Sequence, residues 1–177
     1  MNRPTPAPPR RGAGVRPRRF SSLQWNVGAA LRAVGPSAVP AVCHLLINRD
    51  DAVCYRAVDT LSSFRTNDAR GALQNLMFCV KNSKELSFRN RVALCIEQIA
   101  ENDPNLLVPM YATRLEDPDR YARQNAADRL GRFGSDARAS VPALLAALND
   151  PSGRVRCAAA AALKLTDPDA AAKAGVP

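Results

Sequence analysis

The sequence aligns with itself at an interval of 33 to 35 residues. Three matches share one register of 33 residues: Val108-Pro109 with Val141-Pro142, Asp117-Pro118 with Asp150-Pro151, and Arg123 with Arg156. Periods of this length are typical of chains built from stacked units, none of which can bury its apolar face alone. The period therefore favours a solenoid of repeated units over a fold with one central core.

Each repeat unit is predicted to consist of two helices. Apolar residues recur at three-to-four spacing in blocks of about a dozen residues, and Asp, Asn, Pro or Gly separate the blocks. Aromatic residues make up only 5% of the chain, which disfavours sheets. The predicted pairs are 37–48 with 51–64, 69–81 with 86–101, 104–116 with 119–133, and 137–149 with 153–166. The fold class is therefore all-α.

Other positions support the same register. The residues predicted to occupy the core of successive second helices are Leu61, Ile96, Leu130 and Leu163. Gly35 and Gly134 are predicted to end helices, because glycine adopts positive φ at little cost. A lone second helix containing Trp25 and ending at Gly35-Pro36 predicts an N-terminal half repeat, whose exposed apolar face could pair with another chain.

The strongest units carry the sequence VPALLAALNDP at 141–151 and RVRCAAAAAL at 154–163. This pattern resembles a HEAT repeat of the phycobilisome-lyase type, and the resemblance extends over about residues 20–170, most weakly over 66–101. It implies a right-handed α-solenoid superhelix of about four HEAT-like helix pairs plus the half repeat. It also implies an adaptor or scaffold that binds partners along the second helices.

The resemblance further implies a ladder of turn aspartates and second-helix arginines that stack from repeat to repeat. The matching residues are Asp117, Asp150, Arg89, Arg123 and Arg156. Toward the N-terminus, Asn48 and Ser83 replace the turn aspartates and Cys54 replaces the first arginine. We therefore expect the ladder to be incomplete there.

The net charge of +9 is concentrated at the N-terminus. Residues 1–19 contain five prolines, no acidic residue and six arginines, so only +3 belongs to residues 20–177. The six are Arg3, Arg10, Arg11, Arg16, Arg18 and Arg19. This composition predicts a disordered basic tail that could bind nucleic acid or an acidic surface by charge alone. Alternatively, it is a flexible leader that reflects the position of the start codon. Residues 20–170 are predicted to form the solenoid, and 171–177 a short C-terminal tail.

Six arginines near the starts of three successive second helices are the candidate partner-binding residues: Arg89, Arg91, Arg120, Arg123, Arg154 and Arg156. In one interpretation they form a basic track that neutralises phosphates without reading bases. In the other, Arg89, Arg123 and Arg156 pair with turn carboxylates, which leaves the remaining three free. Few aromatic residues lie nearby, so sequence-specific readout of bases is not expected.

Catalysis is not predicted. The chain has one histidine, His44, and its five cysteines lack CxxC spacing, so no metal, cofactor or nucleophilic site is indicated. The cysteines are expected to pack in the core of a protein of the reducing cytosol. The carboxylates at 50–51 and 116–119 lie before helices, where they are expected to cap amides. No apolar run is long enough to span a membrane.

Two functions follow from these features. The first is a protein-interaction scaffold that binds a partner along the second helices. The second is non-specific binding of nucleic acid through the tail and the basic track, which a steep dependence of affinity on salt would distinguish. A solenoid enzyme, like a bilin lyase or a DNA glycosylase, would rest on fold alone, and fold does not fix function.

Overall fold

The computed structural model describes residues 30–176, apart from positions 32, 49 and 65. The predicted basic tail and residues 20–29 of the predicted half repeat lie outside the described residues. All regular structure in the described part of the chain is helical. No helix within it is both long and apolar enough to cross a lipid bilayer.

Four helix pairs follow one another along the chain. The first pair is α1 (Val39–His44), extended by a 3-10 turn at Leu45–Ile47, and α2 (Asp51–Ser62). The second is α3 (Thr66–Ala69), a 3-10 turn at Arg70–Ala72, α4 (Leu73–Asn82) and α5 (Leu86–Ala100). The third is α6 (Pro104–Arg114) and α7 (Arg120–Phe133). The fourth begins with a 3-10 segment at Gly134–Ser140 and contains α8 (Val141–Ala147) and α9 (Gly153–Thr166).

A further short helix, α10 (Pro168–Lys173), follows the fourth pair and packs against α9. The repeat register did not predict this helix. Its start has a local cause, because Asp167 accepts a hydrogen bond from the Ala170 amide at 3.0 Å and Pro168 occupies the first helical position.

The predicted helix ends are set by caps. Asp50 accepts a hydrogen bond from the Ala52 amide at 2.9 Å at the start of α2, and Asp119 accepts one from the Ala122 amide at 2.9 Å at the start of α7. Gly35 and Gly134 have φ of 77° and 53°, which confirms the predicted positive φ at both glycines. The carboxylates in these turns therefore act as helix caps, as the sequence indicates.

Two local features differ from the expected pattern. The first helix of the second pair is interrupted by the 3-10 turn at Arg70–Ala72, which contains Gly71, a poor helix former. Pro109 lies inside α6, because Asp103 caps that helix and Pro104 starts it. An interior proline removes a helical hydrogen bond, so tertiary packing must hold α6 together.

The core runs continuously through the four pairs. Leu61, Ile96, Leu130 and Leu163 are each 0% exposed, which confirms the register predicted for the second helices. Helices α7 and α9 approach closely: a Cβ atom added at Gly131 would lie 3.1 Å from the Cα atom of Ala162. Four of the five cysteines are buried among these helices, and Cys157 is exposed.

Candidate functional site

The edge of the solenoid formed by the turns between first and second helices carries two arginine–aspartate pairs. Arg89 donates from Nε and Nη2 to the two carboxylate oxygens of Asp117, both at 2.8 Å. Arg123 donates in the same way to Asp150, at 2.6 and 3.0 Å. Each pair is bidentate and joins one repeat to the next. The ladder implied by the resemblance is therefore present between pairs two and three and between pairs three and four.

Each ladder arginine also binds the turn of its own repeat. The Nη1 group donates to the carbonyl oxygen six residues earlier: Arg89 to Ser83 at 3.0 Å, Arg123 to Asp117 at 2.8 Å, and Arg156 to Asp150 at 2.8 Å. The aspartates hold their turns as well, since Asp117 accepts from the Asp119 amide at 2.9 Å and Asp150 from the Ser152 amide at 2.7 Å. One arginine thus fixes two successive turns.

The charges of these pairs are shielded from solvent. The side chains of Arg89 and Asp117 are only 5% and 2% exposed. Burial alone would raise the pKa of Asp117, but hydrogen bonds from Arg89 and from the Asp119 amide outweigh it and hold that pKa below its ordinary value. The hydrogen bond from Arg123 likewise lowers the pKa of Asp150. Both carboxylates therefore stay ionised in the folded protein.

The first repeat keeps the turn but lacks the charges. Cys54 occupies the arginine position, and its Sγ donates to the Asn48 carbonyl oxygen at 3.3 Å. The Asn48 side chain accepts from the Asp50 amide at 2.9 Å, as the turn aspartates do in later repeats. Pairs one and two are instead joined by a hydrogen bond from the Tyr55 hydroxyl to Glu85 at 2.8 Å and by an exposed ion pair between Arg91 and Asp59.

The six arginines predicted to bind a partner do not form one set of free cations. Arg89 and Arg123 belong to the ladder, and Arg91 Nε donates to Asp59 at 2.7 Å. The guanidinium of Arg120 lies 4.8 Å from the centre of the Tyr121 ring and donates to its hydroxyl. Arg154 and Arg156 are exposed near the start of α9. The predicted tail residues Arg10, Arg11, Arg16, Arg18 and Arg19 lie outside the described part of the chain.

Exposed apolar side chains occur on three successive second helices. Leu94 on α5 is 59% exposed, Tyr121 on α7 is 54% exposed, and Leu165 on α9 is 63% exposed. Sequence reasoning missed them as surface residues, although each lies off the apolar stripe of its helix. An apolar residue outside the apolar stripe of an amphipathic helix is predicted to be exposed, and this pattern could have identified all three.

A groove between the second and third pairs contains charged residues that the sequence analysis also missed. Arg114, in the last turn of α6, is 6% exposed and lines this groove together with Lys81 and Lys84. The described residues contain no cluster of three or more His, Cys, Asp or Glu side chains suited to a metal ion. His44 lies exposed at the end of α1.

Comparisons with known proteins agree with this architecture. The family described as HEAT repeats matches residues 107–174. Two crystal structures of engineered proteins, Northeast Structural Genomics Consortium targets OR329 and OR497, are similar to the chain with TM-scores of 0.52 and 0.53 at 19% and 20% sequence identity. The matches cover 88% of this chain and 81% of the first protein, and 90% of this chain and 49% of the second.

No curated protein sequence matches the chain significantly. The similarity to the engineered proteins is a similarity of fold, because the sequence identities are low. The helix pairs and these folds together define the described chain as an α-solenoid, whose residues 107–174 match the HEAT-repeat family.

Proposed function

We propose that this protein is a non-catalytic scaffold or adaptor that binds a protein partner along its second helices. HEAT solenoids typically mediate protein–protein interaction, and their stacked helices supply extended binding surfaces. The observation that carries the proposal is the exposure of Leu94, Tyr121 and Leu165 on α5, α7 and α9. We call these three residues the second-helix patch.

The chemistry of the second-helix patch suits a protein partner. Exposed apolar side chains flanked by polar residues mark interaction sites, and binding energy is concentrated in a few aromatic and arginine side chains. Arg154 occupies on α9 the position that Tyr121 occupies on α7, 33 residues earlier. An aromatic ring and a cation are therefore available at equivalent places on neighbouring helices.

The same arginines are less suited to a nucleic-acid backbone. Arg89 and Arg123 are held by carboxylates, and Arg91 is paired with Asp59, so these charges are largely compensated. Asp128, exposed on α7, adds negative charge to the surface of the second helices. We therefore assign any contact with nucleic acid to residues 1–19, as an electrostatic accessory to the protein-binding face.

We further propose that the repeats are of the phycobilisome-lyase type. The observed rungs, Arg89 with Asp117 and Arg123 with Asp150, support this assignment because they occupy the positions that the resemblance implies. We propose no catalytic role, since the aspartates of the turns are engaged as helix caps or as partners of arginines.

The test is capture of a partner by the full chain and by matched surface variants. Leu94→Asp and Tyr121→Asp each place a charge in the second-helix patch, whereas Phe78→Asp changes an equally exposed residue, also 59%, on the first helix α4. We expect the two patch variants to weaken capture by at least about tenfold, because a buried interface anchor contributes more than about 1.4 kcal/mol. We expect Phe78→Asp to leave it unchanged.

Circular dichroism should show that all three variants fold like the parent. Loss of capture with Phe78→Asp but not with Leu94→Asp or Tyr121→Asp would move the binding face to the first helices and contradict the proposal.

A further inference from the structure

A groove of about 400 Å³ lies between the second and third helix pairs, beside the turns that follow α4 and α6. The charged side chains that line it are Lys81, Lys84, Arg89, Arg114, Glu116 and Asp117. Four of these are basic and two are acidic. The groove therefore has an excess of positive charge on an otherwise nearly neutral solenoid.

Arg114 is the unusual residue of this groove. It is 6% exposed, and its Nε group has no hydrogen-bond acceptor among the described residues, although Nη2 donates to the Asn90 side chain. A buried donor without an acceptor costs roughly 1–3 kcal/mol, and more when the group is charged. Burial also lowers the pKa of Arg114, in keeping with an incompletely compensated cation.

The buried carboxylate of Asp117 attracts Arg114 but forms no hydrogen bond with it. Both oxygens of Asp117 accept from Arg89 at 2.8 Å, and one of them also accepts from the Asp119 amide. Two buried guanidinium groups thus share one buried carboxylate. Arg114 is therefore stabilised by attraction to Asp117 and Glu97 without a direct ion pair, and an anion in the groove would supply that direct partner.

The repeat register does not require a charge at position 114. The equivalent residues of the neighbouring pairs are Val80 and Ala147, both buried and apolar. Arg114 donates one side-chain hydrogen bond to the neighbouring pair, to Asn90 on α5, and it carries a cost of burial that an apolar residue does not. Its charge therefore points to a purpose specific to this groove.

The mouth of the groove supplies flexible cations. Lys81 and Lys84 are exposed at its rim, at the end of α4 and in the turn that follows, and neither forms an ion pair within the described residues. Glu116, also exposed, is the acidic residue that opposes them. Lysines at a rim can follow an anion into the groove, because their ammonium groups move on long side chains.

We propose that this groove is an oxyanion-binding site, which accepts one carboxylate or phosphate group against the guanidinium of Arg114 and under the ammonium groups of Lys81 and Lys84. The oxyanion can belong to a free metabolite or to an acidic side chain of a bound protein. The site does not require the second-helix patch, and its test is independent of partner capture.

The test uses the full chain and two probes, inorganic phosphate and N-acetyl-aspartate amide, with ionic strength held constant by chloride. The signal is the NMR shift of the Arg114 Nε–H resonance and of the backbone amides of the turn at 115–119. We expect a saturable shift with at least one probe. The probe that binds more tightly distinguishes phosphate from carboxylate as the preferred group.

Two variants make the result specific. In the double variant Lys81→Gln/Lys84→Gln we expect the affinity to fall by about tenfold or more, because each charge-assisted contact contributes substantially. Arg114→Met should fold, since the neighbouring repeats have apolar residues at this position, and should abolish saturable binding as followed by the backbone amides. The control Lys164→Gln/Lys173→Gln removes two exposed charges elsewhere and should bind as the parent does.

Saturable binding that the rim variant and Arg114→Met weaken, and the control does not, would support the site. Equal shifts in phosphate, N-acetyl-aspartate amide and chloride would overturn it. Unchanged affinity in both the rim variant and Arg114→Met would overturn it as well.

Discussion

At the scale of single residues, the Arg89–Asp117 pair shows how charge is used inside this solenoid. Removing two charges from water is costly, so a buried ion pair is weak evidence of net stabilisation. The loss of one partner is different, because it leaves the other charge buried and unpaired. The pair therefore specifies how two repeats pack together, since packing them in another register would leave a buried charge unpaired.

Asp117→Asn tests this rung directly. The amide has nearly the same shape as the carboxylate, but it leaves the Arg89 guanidinium buried without a counter-charge. We expect the free energy of unfolding, measured with urea, to fall by about 3–5 kcal/mol. Asp128→Asn, on the exposed surface of α7, should change it by less than about 0.5 kcal/mol. Equal effects of the two variants would show that the rung does not hold the repeats together.

The same carboxylates predict a dependence of stability on pH. The pKa values of Asp117 and Asp150 are lower in the folded state than in the unfolded chain. Their stabilisation is therefore complete above the unfolded pKa of about 3.9 and is lost as the pH falls from there through the lower folded values. Urea midpoints should decrease as the pH falls below about 4, and Asp117→Asn should reduce that slope. An unchanged slope in the variant would contradict the assignment.

The sequence predicted the residues that recur and missed those that do not. The ladder arginines and aspartates were predictable because they repeat at 33 to 34 residues and match a known pattern. Arg114 was not predictable, because it replaces an apolar residue in one repeat only. A repeat pattern identifies the residues that recur and gives no information about a residue that differs in a single repeat. Lys81 and Lys84 gave no signal either, since their role depends on a groove that forms only when two pairs stack.

At the scale of elements, the helices were predicted best where the repeat is regular. The bounds of α6, α7 and α9 lie within two residues of the predicted ones, and Asp103 and Asp119 cap the first two of these helices. Helix α8 is shorter than predicted, because a 3-10 segment occupies Gly134–Ser140. The second pair departs from the repeat, and there the first helix is divided by the 3-10 turn at Arg70–Ala72. Helix α10 was missed because its signals, Asp167 and Pro168, are local and do not belong to the 33-residue period.

Leu163→Ala tests the packing of α9 against the rest of the solenoid. Leu163 is 0% exposed, so truncation leaves a cavity and should lower the free energy of unfolding by about 2–5 kcal/mol. Leu165→Ala is the matched control, because Leu165 lies two residues away on the same helix and is 63% exposed. It should cost less than about 0.5 kcal/mol. A loss below about 1 kcal/mol in Leu163→Ala would show that the register of the second helices is wrong.

At the scale of the whole molecule, most of the net charge belongs to residues 1–19, whereas the folded surface belongs to the solenoid. The arginines of residues 1–19 supply most of the net charge, whereas the solenoid is nearly neutral and holds many of its cations in pairs. The affinity of the solenoid for acidic partners should therefore be lower than the net charge of the whole chain suggests.

Binding to a labelled DNA duplex of arbitrary sequence should separate these parts. We expect the full chain to bind at low salt and to lose affinity steeply as salt rises, because contacts with phosphates release counterions. A chain that begins at Phe20 should bind far more weakly at low salt. Salt-sensitive binding that survives removal of residues 1–19 would instead make the second-helix arginines a working surface for nucleic acid.

The central claim, that the second helices form the protein-binding face, is tested most directly by photo-crosslinking. A benzophenone amino acid is placed at position 94 or at position 78, which carry equally exposed side chains on a second and a first helix. We expect position 94 to crosslink to a captured partner and position 78 not to. Crosslinking from position 78 alone would contradict it and place the partner on the first helices.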